Sequence, residues 1–106
     1  MLDSKILHSA VRSAQMIWRR HALERMLSRN VSRDEAKEVL LRGEQIEDYT
    51  DDFPFPSGLF LANITGRDIH VVAGLDKRSG TVYVISVYEP DNEHFEADKR
   101  TRRQKS

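Results

Sequence analysis

The sequence predicts an α+β domain in which two N-terminal helices pack on a three- to four-stranded antiparallel sheet. Three observations carry this reading. Apolar residues recur at three- and four-residue steps from Ile6 to Met26, the helical period. A serine and a glutamate at capping-box spacing open a second helical stretch at Ser32. From Glu44 onward the period falls to two, and turn residues punctuate it at short intervals.

Ile6, Leu7, Ala10, Val11, Ala14, Ile17, Trp18, Ala22 and Met26 form the first stripe. No Gly or Pro interrupts residues 4–29, so one long helix is expected. Asn30 should stop it, because its short polar side chain tolerates the left-handed conformation. Ser32 and Glu35 then cap a second helix over about residues 33–42, with Val31 and Ala36 as a hydrophobic staple and Ala36, Val39 and Leu40 as its buried stripe. Gly43 should end it as a C′ residue.

A strand follows from Glu44 to Tyr49 with Ile46 inward. Residues 51–58 form a loop whose Pro54 and Pro56 lack ladder donors. Phe53 and Phe55 in this loop have the chemistry to stack on a base, but plugging the core is the expected use. Leu59 to Ile64, Asp68 to Leu75 and Thr81 to Glu89 make a meander with turns at 65–67 and 77–80, and residues 44–49 pair with it. Ile69, Val71, Ala73 and Leu75 share one face and His70 the other. Either that second face carries a site, or His70 is a half-buried polar residue covered by the loop. Strict alternation sets Tyr83 and Tyr88 on opposite faces, so only one can accompany His70.

The 106 residues are one domain's worth of chain, expected over 1–98 with a basic tail at 99–106. The absence of cysteine excludes disulfides, thiolate metal sites and cysteine nucleophiles. No apolar run reaches the roughly 20 residues of a membrane span. The N-terminus, with Asp3 and no apolar h-region, does not read as a signal peptide, and the expectation is a cytoplasmic protein without membrane contact. There is no Gly-rich phosphate loop, no serine elbow and no His–carboxylate pair at metal spacing, so neither metal nor cofactor is expected. Formal net charge is zero, but the charge is segregated. Residues 1–33 carry seven basic and two acidic side chains, residues 34–57 two and eight, and residues 99–106 five and none. Such a map suits an anionic partner, and it is equally what solvated basic helix faces produce.

The densest local chemistry is Trp18-Arg19-Arg20-His21-Ala22-Leu23-Glu24-Arg25. His21 and Arg25, four apart, share a helix face. An imidazole beside a guanidinium can move a proton while the cation holds a phosphate. The same spacing also fits a histidine packed or capping against the sheet, with Arg25 in an ordinary ion pair. Tyr88 and Glu89 end the last strand before Pro90, where site residues often project, although tyrosines in strands more often serve packing.

His21-Ala22-x-x-Arg25-Met26, Gly43-Glu44-x-Ile46-Glu47-Asp48-Tyr49, Asp52-x-Pro54-x-Pro56-Ser57, His70-Val71-Val72 and Val87-Tyr88-Glu89-Pro90-Asp91 together resemble an uncharacterised family of small prokaryotic domains. This domain-of-unknown-function family is similar in layout to the RelE, BrnT and MqsR group of toxin ribonucleases, over about residues 17–103. The resemblance implies a RelE-like fold whose open sheet face receives RNA. It also implies metal-independent cleavage by the 2′-hydroxyl, and an antitoxin partner of zinc-finger or helix-turn-helix type. By matching the motifs, His21, Arg25, His70 and Tyr88 carry over as catalytic candidates. Arg19 stands where a Thr is common before the His, and Asn30 where a Gly commonly precedes the second helix.

Two functions follow as expectations. One is a toxin-type endoribonuclease with His21 or His70 as general base and acid, and Arg25 stabilising the charge on the phosphorane. Arg19, Arg20, Lys99, Arg100, Arg102 and Arg103 would then hold the RNA backbone. The other is a non-catalytic protein-interaction module of the same fold, for which the acidic stretch 34–57 is a docking face.

Overall fold

The computed structural model describes residues 1–91, 98, 99 and 101. The chain runs α1 (Ser4–Arg12), β1 (Met16–Trp18), α2 (Arg20–Arg29), α3 (Arg33–Arg42), β2 (Glu44–Tyr49), β3 (Ser57–Ile64), β4 (Arg67–Asp76) and β5 (Thr81–Tyr88). The class is α+β as expected. The count differs: there are three helices, and a five-stranded mixed sheet in the order β1-β5-β4-β3-β2. β2 to β5 form the antiparallel meander, and β1 adds to the β5 edge in parallel, with Met16 opposite Val82 and Trp18 opposite Val84.

The single helix expected over residues 4–29 is thus two helices with a strand between them. α1 ends in a Schellman turn. The Gln15 N–H donates to the Ala10 carbonyl at 2.8 Å and the Ala14 N–H to the Val11 carbonyl at 3.3 Å, with Ala14 left-handed at φ 59°. Alanine there carries a steric penalty of about 1–2 kcal/mol, so its residue type does not advertise a stop. Pairing to β5 offsets it: the Val82 N–H donates to the Gln15 carbonyl and the Arg19 N–H to the Val84 carbonyl, each at 3.0 Å. α2 closes in the same way at Asn30, left-handed at φ 56° as expected. The Val31 N–H reaches the Met26 carbonyl at 2.9 Å, and both side chains are buried.

α3 opens on the expected capping box. The Glu35 N–H donates to Ser32 Oγ at 3.0 Å, and the Ser32 N–H to Glu35 Oε1 at 2.8 Å. The Ser32 amide above all holds the Glu35 carboxyl below the usual carboxylate range. Gly43 ends the helix, but with φ −79° and not as a left-handed residue. Its need is for space, because a Cβ would lie 2.3 Å from the Val39 carbonyl oxygen and 2.6 Å from that of Leu61.

The core lies between the helices and one face of the sheet. Leu7, Val11, Met26, Val39 and Leu40 meet Ile69, Val71, Ala73 and Leu75 of β4 and Val82, Val84 and Val87 of β5. Each fully buried side chain of this size contributes about 1.5–3 kcal/mol. From the same face Arg67 donates to the Asn30 carbonyl at 3.0 Å and ties the end of α2 to β4. Ile46 sits half-buried at a bulge in the β2–β3 pairing.

A second bulge decides what the outer face, turned away from the helices, presents. Val72 pairs with Ser86 but Ala73 pairs with Val84, leaving Ile85 as an extra residue in β5. Alternation reverses across it. His70, Val72 and Gly74 therefore lie opposite Tyr88, Ser86 and Tyr83, and both tyrosines share the outer face with His70. This corrects the expectation that only one of them does. Among the described residues no helix is long and apolar enough to cross a membrane.

Candidate functional site

Two segments close on the outer face near Gly74 and Tyr83. The first is the proline loop. Its anchor is Ser57, fully buried and paired with Gly74, whose hydroxyl donates to Asp52 Oδ2. The Leu75 N–H donates to the Pro56 carbonyl at 3.0 Å. Phe55 stacks on Tyr83, ring centroids 5.1 Å apart and planes at 18°. Phe53 is 95% exposed. Neither phenylalanine plugs the core, which corrects that expectation; a loop already held by Ser57 and Tyr83 has no reason to bury Phe53.

The second segment is the start of α2. Arg19 is its N-cap and makes no side-chain capping bond, so the first amides of the helix lack the acceptor that a Thr would supply. Its guanidinium lies over the Tyr83 ring, 5.5 Å from the centroid. Between loop and helix runs a groove of about 550 Å³ lined by Arg19, Arg20, His21, Asp52, Phe53, Pro54, Phe55, Gly74, Tyr83 and Ile85. Gly74 has room for a Cβ, with its nearest neighbours at 3.6 Å, and lacking one it leaves the floor of the groove low.

A neighbouring groove of about 380 Å³ follows the solvent side of α2 past His21, Glu24, Arg25, Ser28 and Arg29. His21 lines both. It is exposed, as is Arg25, so the alternative of a histidine packed against the sheet is not what the fold adopts. Among the described residues Arg25 has no ion-pair partner. Arg20 pairs with Glu24 at 3.0 Å, both well exposed, a contact of small energy that a ligand can displace.

His70 and Tyr88 sit elsewhere on the outer face. His70 is fully buried, where a half-buried residue under the loop was the expected alternative, and among the described residues Lys99 meets its outer nitrogen. Nε2 lies 2.6 Å from the Lys99 carbonyl oxygen and Nδ1 3.3 Å from the Tyr88 hydroxyl. A carbonyl only accepts, so Nε2 carries the proton; in the neutral ring Nδ1 then accepts from Tyr88. The two rings meet edge to face at 5.2 Å. The structure therefore brings His21 to a groove shared with the sheet and sets Arg25 one helical turn beyond it. His70 and Tyr88 form a separate pair that does not line that groove.

Lys99 contributes its carbonyl to His70, whereas Arg100, Arg102 and Arg103 lie outside the described residues. Tyr83, Gly74 and Asp52 were not among the expected site residues. The β5 bulge hides Tyr83, since strict alternation cannot place it, whereas Gly74 shares the face of His70 by alternation in β4 but has no side chain to mark it. Asp52 carries a signal in the Asp-x-Pro-x-Pro-Ser run, whose serine is its hydrogen-bond partner five residues on. Among the described residues no three His, Cys, Asp or Glu side chains converge as metal ligands would.

The family model described as a domain of unknown function (DUF4258) matches residues 18–89, from the end of β1 to just past β5. That span contains every residue lining the larger groove. No curated protein and no solved structure matches the chain.

Proposed function

The chain belongs to the DUF4258 family, and we propose that it is a toxin-type, metal-independent endoribonuclease that holds single-stranded RNA across the start of α2. The observation that carries this is the position of His21 at the junction of two grooves of different chemistry. One is aromatic and suits an unstacked base. The other is lined by Arg25 and Arg29 and suits the phosphate backbone. A strand passing from one to the other sets a phosphate beside His21, Arg19 and Arg20, close to the positive end of the α2 dipole.

In this reading His21 accepts the proton of the 2′-hydroxyl as its oxygen attacks the adjacent phosphorus. Arg19, Arg20 and Arg25 balance the charge that grows on the phosphorane oxygens. The bond to the 5′-oxygen breaks, water protonates the departing oxygen, and the products are a 2′,3′-cyclic phosphate and a 5′-hydroxyl. The resemblance to the RelE, BrnT and MqsR group supports the same class of reaction, and with it an antitoxin that holds the activity in check. The test is incubation of purified protein with end-labelled RNA in the presence of a chelator. Fragments ending in cyclic phosphate are expected; RNA that stays intact under all conditions overturns the reading.

A second reading, a protein-interaction module, draws on the acidic stretch. Asp34 is exposed on α3, and Glu44 and Asp48 are exposed on β2, the edge of the sheet opposite β1. This side suits a basic protein, and the two readings combine if that protein is the antitoxin.

A further inference from the structure

Asp52 is out of keeping with the rest of its groove. Arg19, Arg20 and His21 line the same space and suit a phosphate, which a carboxylate repels. Yet Asp52 makes no ion pair with those arginines among the described residues. It is held instead by Ser57, a fully buried residue at the foot of the loop, whose hydroxyl donates to Oδ2. Oδ1 has no hydrogen-bond partner among the described residues and is left for a ligand. Next to it stands Phe53, 95% exposed, an apolar ring with no folding role that repays its exposure.

A fixed carboxylate beside a free aromatic ring is the equipment for reading a base. The ring stacks on any base. The carboxylate only accepts, so it selects for donors. Guanine alone presents two adjacent donors on its Watson–Crick edge, N1–H and the N2 amino group, which match the two carboxylate oxygens side by side, Oδ2 accepting through the lone pair that Ser57 does not use. Adenine and cytosine set one amino group beside an acceptor nitrogen, which would face the second oxygen and repel it. Uracil flanks its single N3–H with two carbonyls. Resting on the RNA reading of this groove, we infer that Asp52 selects guanine, stacked on Phe53, as the base held beside the phosphate at His21.

The test is binding, measured by fluorescence anisotropy on labelled oligouridine carrying a single central G, A, C or U, with wild type and Asp52→Asn. Asn keeps an acceptor for Ser57, and a thermal melt on the same preparations checks the fold. Wild type should bind the G oligonucleotide about tenfold or more tighter than the others, the discrimination of a good bidentate pair. Asp52→Asn should abolish that preference, so that the G oligonucleotide is bound no tighter than the other three. Equal binding of all four by wild type overturns the inference and leaves the RNA reading standing. A variant that tightens on all four alike shows that Asp52 acts only through its charge, and overturns it too. Failure to bind any oligonucleotide overturns the RNA reading and the inference with it.

Discussion

The ring of Phe55 lies on that of Tyr83, centroids 5.1 Å apart and planes 18° from parallel, and joins the proline loop to β5 on the outer face of the sheet. This stack forms one wall of the groove, and Arg19 covers the same tyrosine from the α2 side. Tyr83→Phe keeps the ring and should leave stability and RNA binding unchanged. Tyr83→Ala should lower stability by about 0.5–1.5 kcal/mol beyond its lost apolar area, the worth of an aromatic pair. It should also weaken RNA binding. A thermal melt and an anisotropy titration on both variants check this.

The left-handed Ala14 predicts an easy gain. It is exposed and closes the Schellman turn of α1 at φ 59°. Ala14→Gly removes the clash of Cβ with the carbonyl, at the cost of a more flexible unfolded chain. The net should be a stabilisation of about 0.5–1 kcal/mol, read as a higher denaturant midpoint with unchanged slope.

Glu35 gives the molecule an acid-sensitive joint. Its folded pKa lies below the ordinary glutamate value because the Ser32 amide donates to the carboxylate. A depressed folded pKa means that the stabilising contribution is complete above the unfolded value and is lost as pH falls through the folded one. Glu35→Gln should therefore flatten the acid limb of the stability profile from the ordinary glutamate pKa downward, and leave its slope above that value unchanged. Ser32→Ala should cost about 1 kcal/mol at neutral pH, the usual worth of an N-cap.

What could be read from the chain, and what could not, follows from how local each signal is. The capping box at Ser32 and Glu35 and the left-handed Asn30 are built by residues within a few positions of one another, and both are where expected. The meander of β3, β4 and β5 follows from apolar alternation closed by short turns. β1 was hidden because its three residues continue the helical stripe of α1, and because the break before it rests on alanine where glycine or asparagine is usual. Its partner, β5, lies more than sixty residues away. The groove was half visible. His21 and Arg25 follow from helical spacing, but the company of Tyr83 depends on the Ile85 bulge, a property of strand pairing that no local pattern reports.

His70 should behave as a structural residue. It is fully buried, and its Nε2–H serves the Lys99 carbonyl. His70→Ala should cost about 2 kcal/mol or more through the lost hydrogen bonds and the void left behind. Activity per folded molecule should persist. Chemical denaturation with a cleavage assay on the same samples separates the two effects, and a stable but inactive variant would move His70 into the catalytic machinery.

His21 carries the central claim, because it is exposed, lines both grooves and makes no packing contribution that its removal would forfeit. The most direct measurement is the rate of RNA cleavage by wild type and His21→Ala, taken with melting temperatures on the same preparations. As the general base, His21 should make the variant's rate fall by about a hundredfold or more, the usual contribution of a positioned proton-transfer group, at an unchanged melting temperature. A folded His21→Ala that cleaves as fast as wild type would contradict that role.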